Sequence, residues 1–474
     1  MSVVKESAID YNGGKYVGPT QNPYLIIVDT TASTGDFVIH NDTKLVYDSA
    51  VMYNNFSSIT IPNGVVYISE YGFAYSYKVT NIQIPNTVEY IGYSAFSGCE
   101  LFTVTFESGS KLKRIESHAF YLNPLTSIVI PEGVEYIGES CFYYCEDLTE
   151  ITIPSTLKYA RRIFGSYGSD NSLGRVNISN LDAFMVNHIG LAFTACSYDL
   201  YLNGLLVTEI VIPEGVTRLD DGELTGCKSV TKVTLPNSIE YIGGALNTSM
   251  LSNYTVYNNL KYIGNSENEY LYLIGVSNTG QTTYTIHEST KIIRGSTFNS
   301  CNNLTSLTIP KSVTFIGSYL LPAFNEVDLR FEENSNLKYL DNYSLYYGII
   351  QTVVISKNVQ YIGNGAIEQA FTSDGKVSFE TIIFEDGSNI EYGEIEPIRL
   401  KEAVRTIVFE SLSFVNGTKI KKDLKCLFET LLSGSVVKVK CSSVSAVKLS
   451  ILTNKYKFTA SYDSATGYAI FTKI

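Results

Sequence analysis

Histidine and cysteine are the side chains of this sequence best suited to chemistry, but their spacing does not fit a catalytic or metal site. There are four histidines. No His-Glu-x-x-His zinc motif, no Gly-x-Ser-x-Gly nucleophile elbow and no glycine-rich phosphate loop occurs. Acidic residues are scattered, so no two stand out as the carboxylates of a glycosidase. We therefore expect no catalytic residue, no metal ligand, no cofactor and no enzymatic activity.

Four of the eight cysteines recur at one position of a repeat, and they are Cys99, Cys145, Cys227 and Cys301. If the repeats stack at strand spacing, Cys99 and Cys145 are two repeats or about 9.6 Å apart. That separation exceeds the Cα reach of a disulfide. A buried free cysteine behaves as a small apolar residue, which favours a structural role. Two other pairings stay open, Cys141 with Cys145 and Cys426 with Cys441.

The repeat is about 23 residues long and contains an isoleucine, here called the anchor, that is usually followed by proline. The anchors with proline are Ile61, Ile84, Ile130, Ile153, Ile212 and Ile309. His40 and His287 take the place of proline after Ile39 and Ile286, so these two histidines report ancestry rather than chemistry. Aliphatic residues follow four and seven positions after the anchor, and an apolar residue, often Phe, follows after twelve.

This spacing predicts a stack of coils. Segments such as Asn81-Ile82-Gln83-Ile84 alternate polar and apolar residues, as strands do. Proline ends the strand because it has no N–H to donate. A glycine after the second aliphatic position, as at Gly92 and Gly138, is expected to permit a turn. One coil cannot bury its own apolar positions, so successive coils must stack as parallel strands about 4.8 Å apart.

Two rows of outward residues are the candidate ligand-binding sites. Tyrosine recurs six positions after the anchor, at Tyr67, Tyr90, Tyr136, Tyr241 and Tyr361, and also at Tyr159. On stacked coils these rings would form a ladder, which is either an aromatic platform for a ligand or simple ring-on-ring packing. The second row is the outward strand position, represented by Thr60, Thr105 and Thr152. It is either a binding face or the ordinary preference of strands for β-branched residues.

A duplication divides the chain. Tyr11-Asn12, Lys15-Tyr16, Gly18, Asn22 and Tyr24-Leu25 recur 246 residues later, beginning at Tyr257-Asn258. We therefore predict a first repeat array over residues 1–246, an irregular joint over 247–285 that repeats the opening element, a second array over 286–410 and a C-terminal cap over 411–474. Within the cap, Lys421 to Leu432 predicts a helix that is followed by strands. Between Ser155 and Leu205 the repeat spacing drifts.

Composition excludes several classes of partner. Lys and Arg number 35 against 47 Asp and Glu, a net charge of −12, which disfavours binding to phosphate backbones and so to nucleic acid. No run approaches the ~20 apolar residues of a membrane helix, so membrane insertion is not expected. The first residues are polar and lack the apolar core of a signal peptide, which fits either a trimmed signal or none.

The pattern Ile-x-Ile-Pro-x-x-Val-x-x-Ile-Gly-x-x-Ala-Phe-x-x-Cys stands intact at Ile82–Cys99 and recurs at Ile128–Cys145 with Cys141 in place of Ala. It resembles the BspA-like, or Treponema-type, leucine-rich repeats, and the resemblance covers about Tyr11 to Phe409. The expected fold is a β-rich solenoid of the leucine-rich-repeat type, with parallel strands and a small C-terminal α+β cap.

Proteins of this family are typically surface or secreted molecules of bacteria and some parasitic protists, and they are associated with adhesion. The resemblance therefore implies an extracellular or cell-surface, adhesin-like recognition protein that binds a host or microbial surface protein or a glycan. The alternative is a virion or phage-tail component that recognises a host surface. Neither the ligand nor the oligomeric state is encoded in the repeat.

Overall fold

A computed structural model of the chain describes residues 8–165, 172–194, 196–246, 251–323, 325–346, 350–367, 379–385, 391–392, 406–409, 433–440 and 457–474. They belong to two compact units. The first comprises Met1–Pro236 with Gly244–Ser252, and the second comprises Asn237–Gly243 with Asn253–Ile474. Each unit is a β-solenoid of stacked coils with mainly parallel strands, so the predicted fold class is confirmed.

The described part of the first unit contains 21 strands, one α-helix and one 3-10 helix. In chain order they are β1 (Ile9–Tyr11), β2 (Gly14–Val17), β3 (Ile26–Thr30), β4 (Thr34–Val38), β5 (Leu45–Val46), β6 (Asn55–Thr60), β7 (Tyr67–Ile68), β8 (Asn81–Ile84), β9 (Tyr90–Ile91), β10 (Thr103–Phe106), β11 (Arg114–Ile115), β12 (Ser127–Val129), β13 (Tyr136–Ile137), β14 (Glu150–Ile153), β15 (Tyr159–Ala160), β16 (Arg175–Ile178), α1 (Leu181–Val186), the 3-10 helix (Ile189–Phe193), β17 (Asp199–Leu202), β18 (Leu205–Leu206), β19 (Glu209–Val211), β20 (Arg218–Leu219) and β21 (Lys232–Thr234).

The described part of the second unit contains 18 strands. They are β22 (Tyr241–Ile242), β23 (Thr255–Tyr257), β24 (Leu260–Ile263), β25 (Tyr272–Val276), β26 (Thr283–Thr285), β27 (Ile292–Ile293), β28 (Ser306–Ile309), β29 (Phe315–Ile316), β30 (Asp328–Phe331), β31 (Tyr339–Leu340), β32 (Ile350–Ile355), β33 (Tyr361–Ile362), β34 (Phe379–Phe384), β35 (Glu391–Tyr392), β36 (Thr406–Phe409), β37 (Val436–Lys440), β38 (Phe458–Asp463) and β39 (Tyr468–Lys473).

Each regular coil has three sides. In the coil anchored at Ile84, β8 forms the first strand face, β9 forms the second strand face, and residues 93–98 form a turn face. The side chains that point inward from all three sides are buried, as the repeat predicted. In this coil they are Ile82, Ile84, Val88, Ile91, Ala95, Phe96 and Cys99.

The second strand face keeps the coils of the first unit in register. Strands β3, β5, β7, β9, β11, β13 and β15 pair in parallel in that order. The register stacks equivalent side chains, so the buried ring of Phe96 lies 5.1 Å from that of Phe73 and 5.5 Å from that of Phe120. In the second unit the parallel order is β25, β27, β29, β31, β33 and β35.

The turn face is also a hydrogen-bonded ladder. The N–H groups of Tyr71, Phe73 and Tyr75 donate to carbonyls of the next coil at 2.9, 2.8 and 2.8 Å. Tyr71 and Tyr75 have left-handed backbones, with φ of 54° and 58°. The residue ten positions after the anchor is left-handed in many coils, and examples are Ser49, Tyr71, Ser94, Ser140, Ser296 and Tyr319.

The glycine after the second strand face has a different role from the one expected. Gly92 and Gly138 do not have a left-handed φ, so the prediction that they permit a special turn is wrong. A Cβ at Gly92 would lie 2.7 Å from the carbonyl carbon of Ser69, and one at Gly138 would lie 2.2 Å from the nitrogen of Ser117. Glycine is required here because the backbones of neighbouring coils approach closely.

The position fifteen residues after the anchor holds a buried hydrogen-bond donor. Cys99 Sγ donates to Phe73 O and Cys145 Sγ donates to Phe120 O, both at 3.2 Å. Ser76, Cys99, Asn123 and Cys145 occupy equivalent positions in successive coils, with Asn123 two residues later because its coil has a longer turn. All four are buried. Cys141 and Cys145 are free thiols, so the pairing that was left open is not formed. Cys426 and Cys441 lie outside the described residues.

The same antiparallel element occurs once in each unit. Strands β1, β2 and β3 pair antiparallel, and so do β23, β24 and β25. In both copies a tyrosine ring stacks on the histidine after the anchor, with centroids 3.8 Å apart for Tyr24 and His40 and 3.8 Å apart for Tyr270 and His287. The two histidines are therefore part of a structural cluster at the start of each array.

The end of the chain departs from the parallel pattern. Strand β37 extends the parallel sheet of the second unit, and β39 and β38 then pair antiparallel beyond it. Such a reversal covers the last coil, whose core would otherwise be exposed. The predicted helix from Lys421 to Leu432 lies outside the described residues. In the described part of the chain, no helix has the length and apolarity needed to cross a membrane.

Candidate recognition surfaces

A row of stacked side chains runs along the second strand face of the first unit. It consists of Tyr67, Tyr90, Arg114, Tyr136 and Tyr159, which occupy equivalent places in paired strands. The ring centroids of Tyr67 and Tyr90 are 4.2 Å apart, and those of Tyr136 and Tyr159 are 5.1 Å apart. The structure therefore brings four of the six predicted tyrosines into one row. We call this set the tyrosine–arginine row.

Arg114 fills the gap that the tyrosine pattern leaves. Its guanidinium carbon lies 3.6 Å from the ring centroid of Tyr136, a close cation–π contact. Arg114 also forms an ion pair with Glu116, whose carboxylate accepts a hydrogen bond of 3.1 Å from the hydroxyl of Tyr90. The position of Arg114 does not follow from the tyrosine spacing. The turn in its coil is two residues longer, so the equivalent position is no longer six residues after the anchor.

The row is open to a ligand only in part. Tyr67 and Tyr159 are 40% and 43% exposed, whereas Tyr90 and Tyr136 are half-buried. Burial raises the pKa of the Tyr90 and Tyr136 hydroxyls, which therefore stay protonated at neutral pH and remain hydrogen-bond donors. Because the rings stack on one another, the row thus offers ring edges, tyrosine hydroxyls and one guanidinium along a single line.

The other two predicted tyrosines do not belong to this row. Both lie in the second unit, where the ring of Tyr241 contacts the edge of Phe315 with centroids 4.8 Å apart. Tyr361 pairs with Tyr339 across β31 and β33, and the row continues to Phe315, which is buried. The expectation of one ladder through all six tyrosines is therefore wrong, because the repeat position is shared by two separate arrays.

The first strand face presents the predicted outward residues. Thr60 and Thr105 are exposed and Thr152 is half-buried. Their cross-strand neighbours are Val38 for Thr60, Gln83 for Thr105, and Val129 and Asn177 for Thr152. This face mixes hydroxyl, amide and aliphatic groups with no single chemistry along it.

A third surface, on the turn face of the first unit, was not found from the sequence. We call it the tyrosine patch. Ring contacts connect its members Tyr71 with Tyr93, Tyr93 with His118, His118 with Tyr121, and Tyr121 with Tyr143 and Tyr144, and Tyr75 lies close enough to interact electrostatically with Tyr71 and Tyr121. Neighbouring rings are in contact, for example Tyr93 with His118 at 5.4 Å and Tyr121 with Tyr144 at 5.7 Å. Burial lowers the pKa of His118, which favours its neutral form.

The patch depends on the unusual backbone of the turn face. Tyr75 and Tyr144 are left-handed, and this conformation directs their side chains away from the core. Gly98 lies directly beneath Tyr75, because a Cβ there would be 2.6 Å from the ring. The tyrosines of the patch are visible in the sequence. Their spacing differs from coil to coil, so the repeat does not predict that they lie together.

One cluster of polar side chains has the residue types of an acid–base pair. It includes His188, which lies in the irregular coil, the region between Ser155 and Leu205 where the repeat spacing drifts. His188 Nδ1 lies 3.1 Å from the carboxylate of Glu223, which is buried. The hydrogen bond that His188 donates to the Glu223 carboxylate raises the pKa of His188, so the pair is an ion pair over a wider pH range. Asp220 N–H donates to the same carboxylate at 3.1 Å. Within the described residues, no group of three His, Cys, Asp or Glu side chains could hold a metal ion.

Comparison with known proteins identifies the repeat. The family model for the BspA type leucine rich repeat region matches in six copies over residues 44–166, 195–273 and 276–391. No individually curated protein matches the chain.

Solved structures with similar coils come from several bacteria. A leucine rich cell surface protein from Faecalibacterium prausnitzii is 19% identical over 81% of this chain and 94% of its own, with a TM-score of 0.30. A leucine-rich repeat protein from Bacteroides ovatus is 18% identical over 81% and 97%, with a TM-score of 0.35. The pneumococcal vaccine antigen PcpA is 15% identical over 91% and 98%, with a TM-score of 0.25.

The family match is independent of these remote structures, and it spans more than half of the residues. It includes the coils that carry the tyrosine–arginine row and the tyrosine patch, and those that carry Tyr241 and Tyr361. The chain therefore belongs to the BspA-type leucine-rich repeat family.

Proposed function

We propose that this chain is a non-catalytic recognition protein, adhesin-like and located at the cell surface or secreted, which binds a protein or glycan through a side face of its solenoid. The observation that carries the proposal is the tyrosine–arginine row. It places four aromatic rings, two of them exposed and two half-buried, and a guanidinium on consecutive coils. Aromatic and arginine side chains dominate the binding energy of protein interfaces.

Several features support this reading over catalysis. The tyrosine–arginine row and the tyrosine patch are continuous surfaces, whereas enzyme sites are concave and gather titratable groups. The only buried acid–base pair described above, His188 and Glu223, has no nucleophile in contact with it among the contacts of the described residues. Family membership adds the surface location, since proteins with this repeat are typically surface or secreted.

The test begins with a glycan array and a panel of extracellular host proteins probed with the full chain. Any ligand found is then titrated against variants of the row. A single Tyr136→Ala change should weaken binding several-fold, since one interface tyrosine contributes about 1 kcal/mol. Joint replacement of Tyr67, Tyr90 and Tyr136 by Ala should weaken it by about 100-fold.

The matched control is joint replacement of Thr60, Thr105 and Thr152 by Ala on the first strand face. Thermal unfolding of each variant separates loss of fold from loss of binding, and Tyr90→Phe removes only the hydroxyl that donates to Glu116. Ligand binding that survives both triple changes, but is lost on deleting residues 165–205, would contradict the proposal and place recognition in the irregular coil.

A further inference from the structure

A polar groove of about 940 Å³ lies on the second unit, at the bend between the first and second strand faces. Three lysines line it, Lys291, Lys338 and Lys357, together with amides such as Asn336 and Gln360. No Asp or Glu is among the described residues that line it. The groove is therefore cationic in a chain whose net charge is −12.

The backbone fixes the spacing of the groove side chains. Thr314 N–H donates to Lys291 O at 2.7 Å, Lys338 N–H to Thr314 O at 2.9 Å, and Gln360 N–H to Lys338 O at 2.8 Å. The four residues are thus consecutive rungs of one ladder, and the two lysines are two coils or about 9.6 Å apart at Cα. Two ammonium groups at this separation suit a ligand that carries more than one anionic group.

The same repeat position in the first unit has alternating charge. Its residues are Lys44, Val66, Glu89, Lys113, Glu135 and Lys158, connected by the same backbone ladder. Lys158 Nζ lies 2.8 Å from the carboxylate of Glu135. Coil stacking is therefore satisfied with either sign of charge, and the lack of carboxylates among the described lining residues is a property of these four coils rather than of the fold.

The groove lysines already have contacts that orient them. Lys338 Nζ is 2.9 Å from Glu240, whose side chain is 46% exposed, and Lys291 Nζ donates to Asn237 O at 2.8 Å. An ion pair this exposed is screened by water and contributes little. Each ammonium has three N–H donors, so two remain for a ligand after either contact.

We propose that this groove binds an acidic polysaccharide, a glycan chain that carries carboxylate or sulfate groups. The lysines neutralise the anionic groups, and the amide and hydroxyl side chains exchange hydrogen bonds with sugar hydroxyls. Val359 is the one apolar side chain among the described lining residues, so the groove offers no hydrophobic pocket for a large apolar peptide side chain. No described lining residue is aromatic, so nucleic-acid bases would have no ring on which to stack.

The proposal concerns a site that the tyrosine–arginine row does not include, so each can fail without the other. The experiment titrates the full chain with a size-defined heparin oligosaccharide, which carries sulfate and carboxylate groups. Hyaluronan supplies carboxylate alone, dextran sulfate supplies sulfate alone, and dextran is the neutral control. Poly-L-glutamate tests whether any anionic chain suffices.

The diagnostic variant replaces Lys291, Lys338 and Lys357 by Gln, and it should lose at least tenfold in affinity for heparin. The matched control replaces Lys44, Lys113 and Lys158 by Gln. It removes the same charge, all three of its lysines occupy the repeat position that Lys291 and Lys338 occupy in the groove, and it should lose less than twofold. Binding should also weaken as salt concentration rises, because cation–polyanion contacts release counterions.

Three results would overturn the proposal. The first is no binding to any acidic polysaccharide. The second is an equal loss of affinity in the groove variant and the control variant, which would mean unlocalised attraction to charge. The third is tighter binding to poly-L-glutamate than to every acidic polysaccharide, which would assign the groove to acidic protein segments. Neutral dextran should not bind to the protein or to either variant. The affinities for hyaluronan and dextran sulfate, compared with each other, identify whether carboxylate or sulfate is preferred.

Discussion

Replacing Phe96 by Ala tests whether each coil is stabilised mainly by its neighbours. The Phe96 side chain is 1% exposed and lies between the rings of Phe73 and Phe120, at 5.1 and 5.5 Å. Truncation of a buried phenylalanine costs about 3–5 kcal/mol. Because two ring–ring contacts are lost together, each worth about 0.5–1.5 kcal/mol, we expect a value near the upper end of that range.

The position of the damage matters as much as its size. In a solenoid each coil contacts only the coils next to it. Destabilisation should therefore centre on the coils anchored at Ile61 and Ile84 and on the next coil, in which Phe106 takes the place of the anchor isoleucine. Hydrogen exchange read by mass spectrometry measures this directly as faster exchange at those amides. Phe102→Ala is the matched control, since Phe102 is 47% exposed and its loss should change the free energy of unfolding by about 0.5 kcal/mol or less.

A uniform rise in exchange along the whole first unit would refute the reasoning. It would mean that the coils unfold as one cooperative block, and that the free energy lost at Phe96 is shared by residues with no contact to it. Equal destabilisation by Phe96→Ala and Phe102→Ala would refute it in another way, by showing that burial in the ring stack contributes nothing.

Three further predictions concern buried polar groups. The four cysteines at the shared repeat position, Cys99, Cys145, Cys227 and Cys301, should resist a thiol reagent in the native protein and react after unfolding, because burial raises the pKa of each thiol. Rapid labelling of the native protein would contradict this. Asn123→Ala should cost about 2–5 kcal/mol in chemical denaturation, since it removes the partners of Phe96 O and Leu101 N–H, whereas Asn123→Ser should cost less because a donor remains. The pKa of His188 is raised by Glu223, so its contribution to stability should be complete below the unfolded pKa of about 6.5 and should disappear as pH rises through the higher folded pKa. Unfolding measured across that pH range should show a dependence that His188→Gln removes.

The core was predictable from the sequence because its signal is local and repeated. The anchor, the two aliphatic positions and the phenylalanine position each recur about every 23 residues, and all are buried in the coil anchored at Ile84. Predicting them needed only the period and the need to bury apolar side chains. The opening element was found in the same way, since its two copies align at a constant offset.

The surfaces were predicted less well because they depend on register and backbone conformation. Arg114 entered the tyrosine–arginine row only because a longer turn is absorbed before β11, and spacing counted from the anchor does not show this. The tyrosine patch depends on left-handed residues such as Tyr75 and Tyr144, whose side-chain directions are not encoded in a two-residue alternation. The groove combines residues from several coils, each of them unremarkable in its own repeat.

The two units separate what the fold requires from what a ligand would require. Their opening clusters are nearly identical, with tyrosine and histidine rings 3.8 Å apart in both copies. Outward positions differ, since one repeat position alternates Lys and Glu in the first unit and carries no acidic side chain across the four coils of the groove in the second. In these four coils the position holds two lysines and two neutral polar residues, so the groove differs in charge from the matching row of the first unit. The inward residues stabilise the same fold in both units. The outward residues form two different surfaces, one rich in tyrosine in the first unit and one cationic in the second.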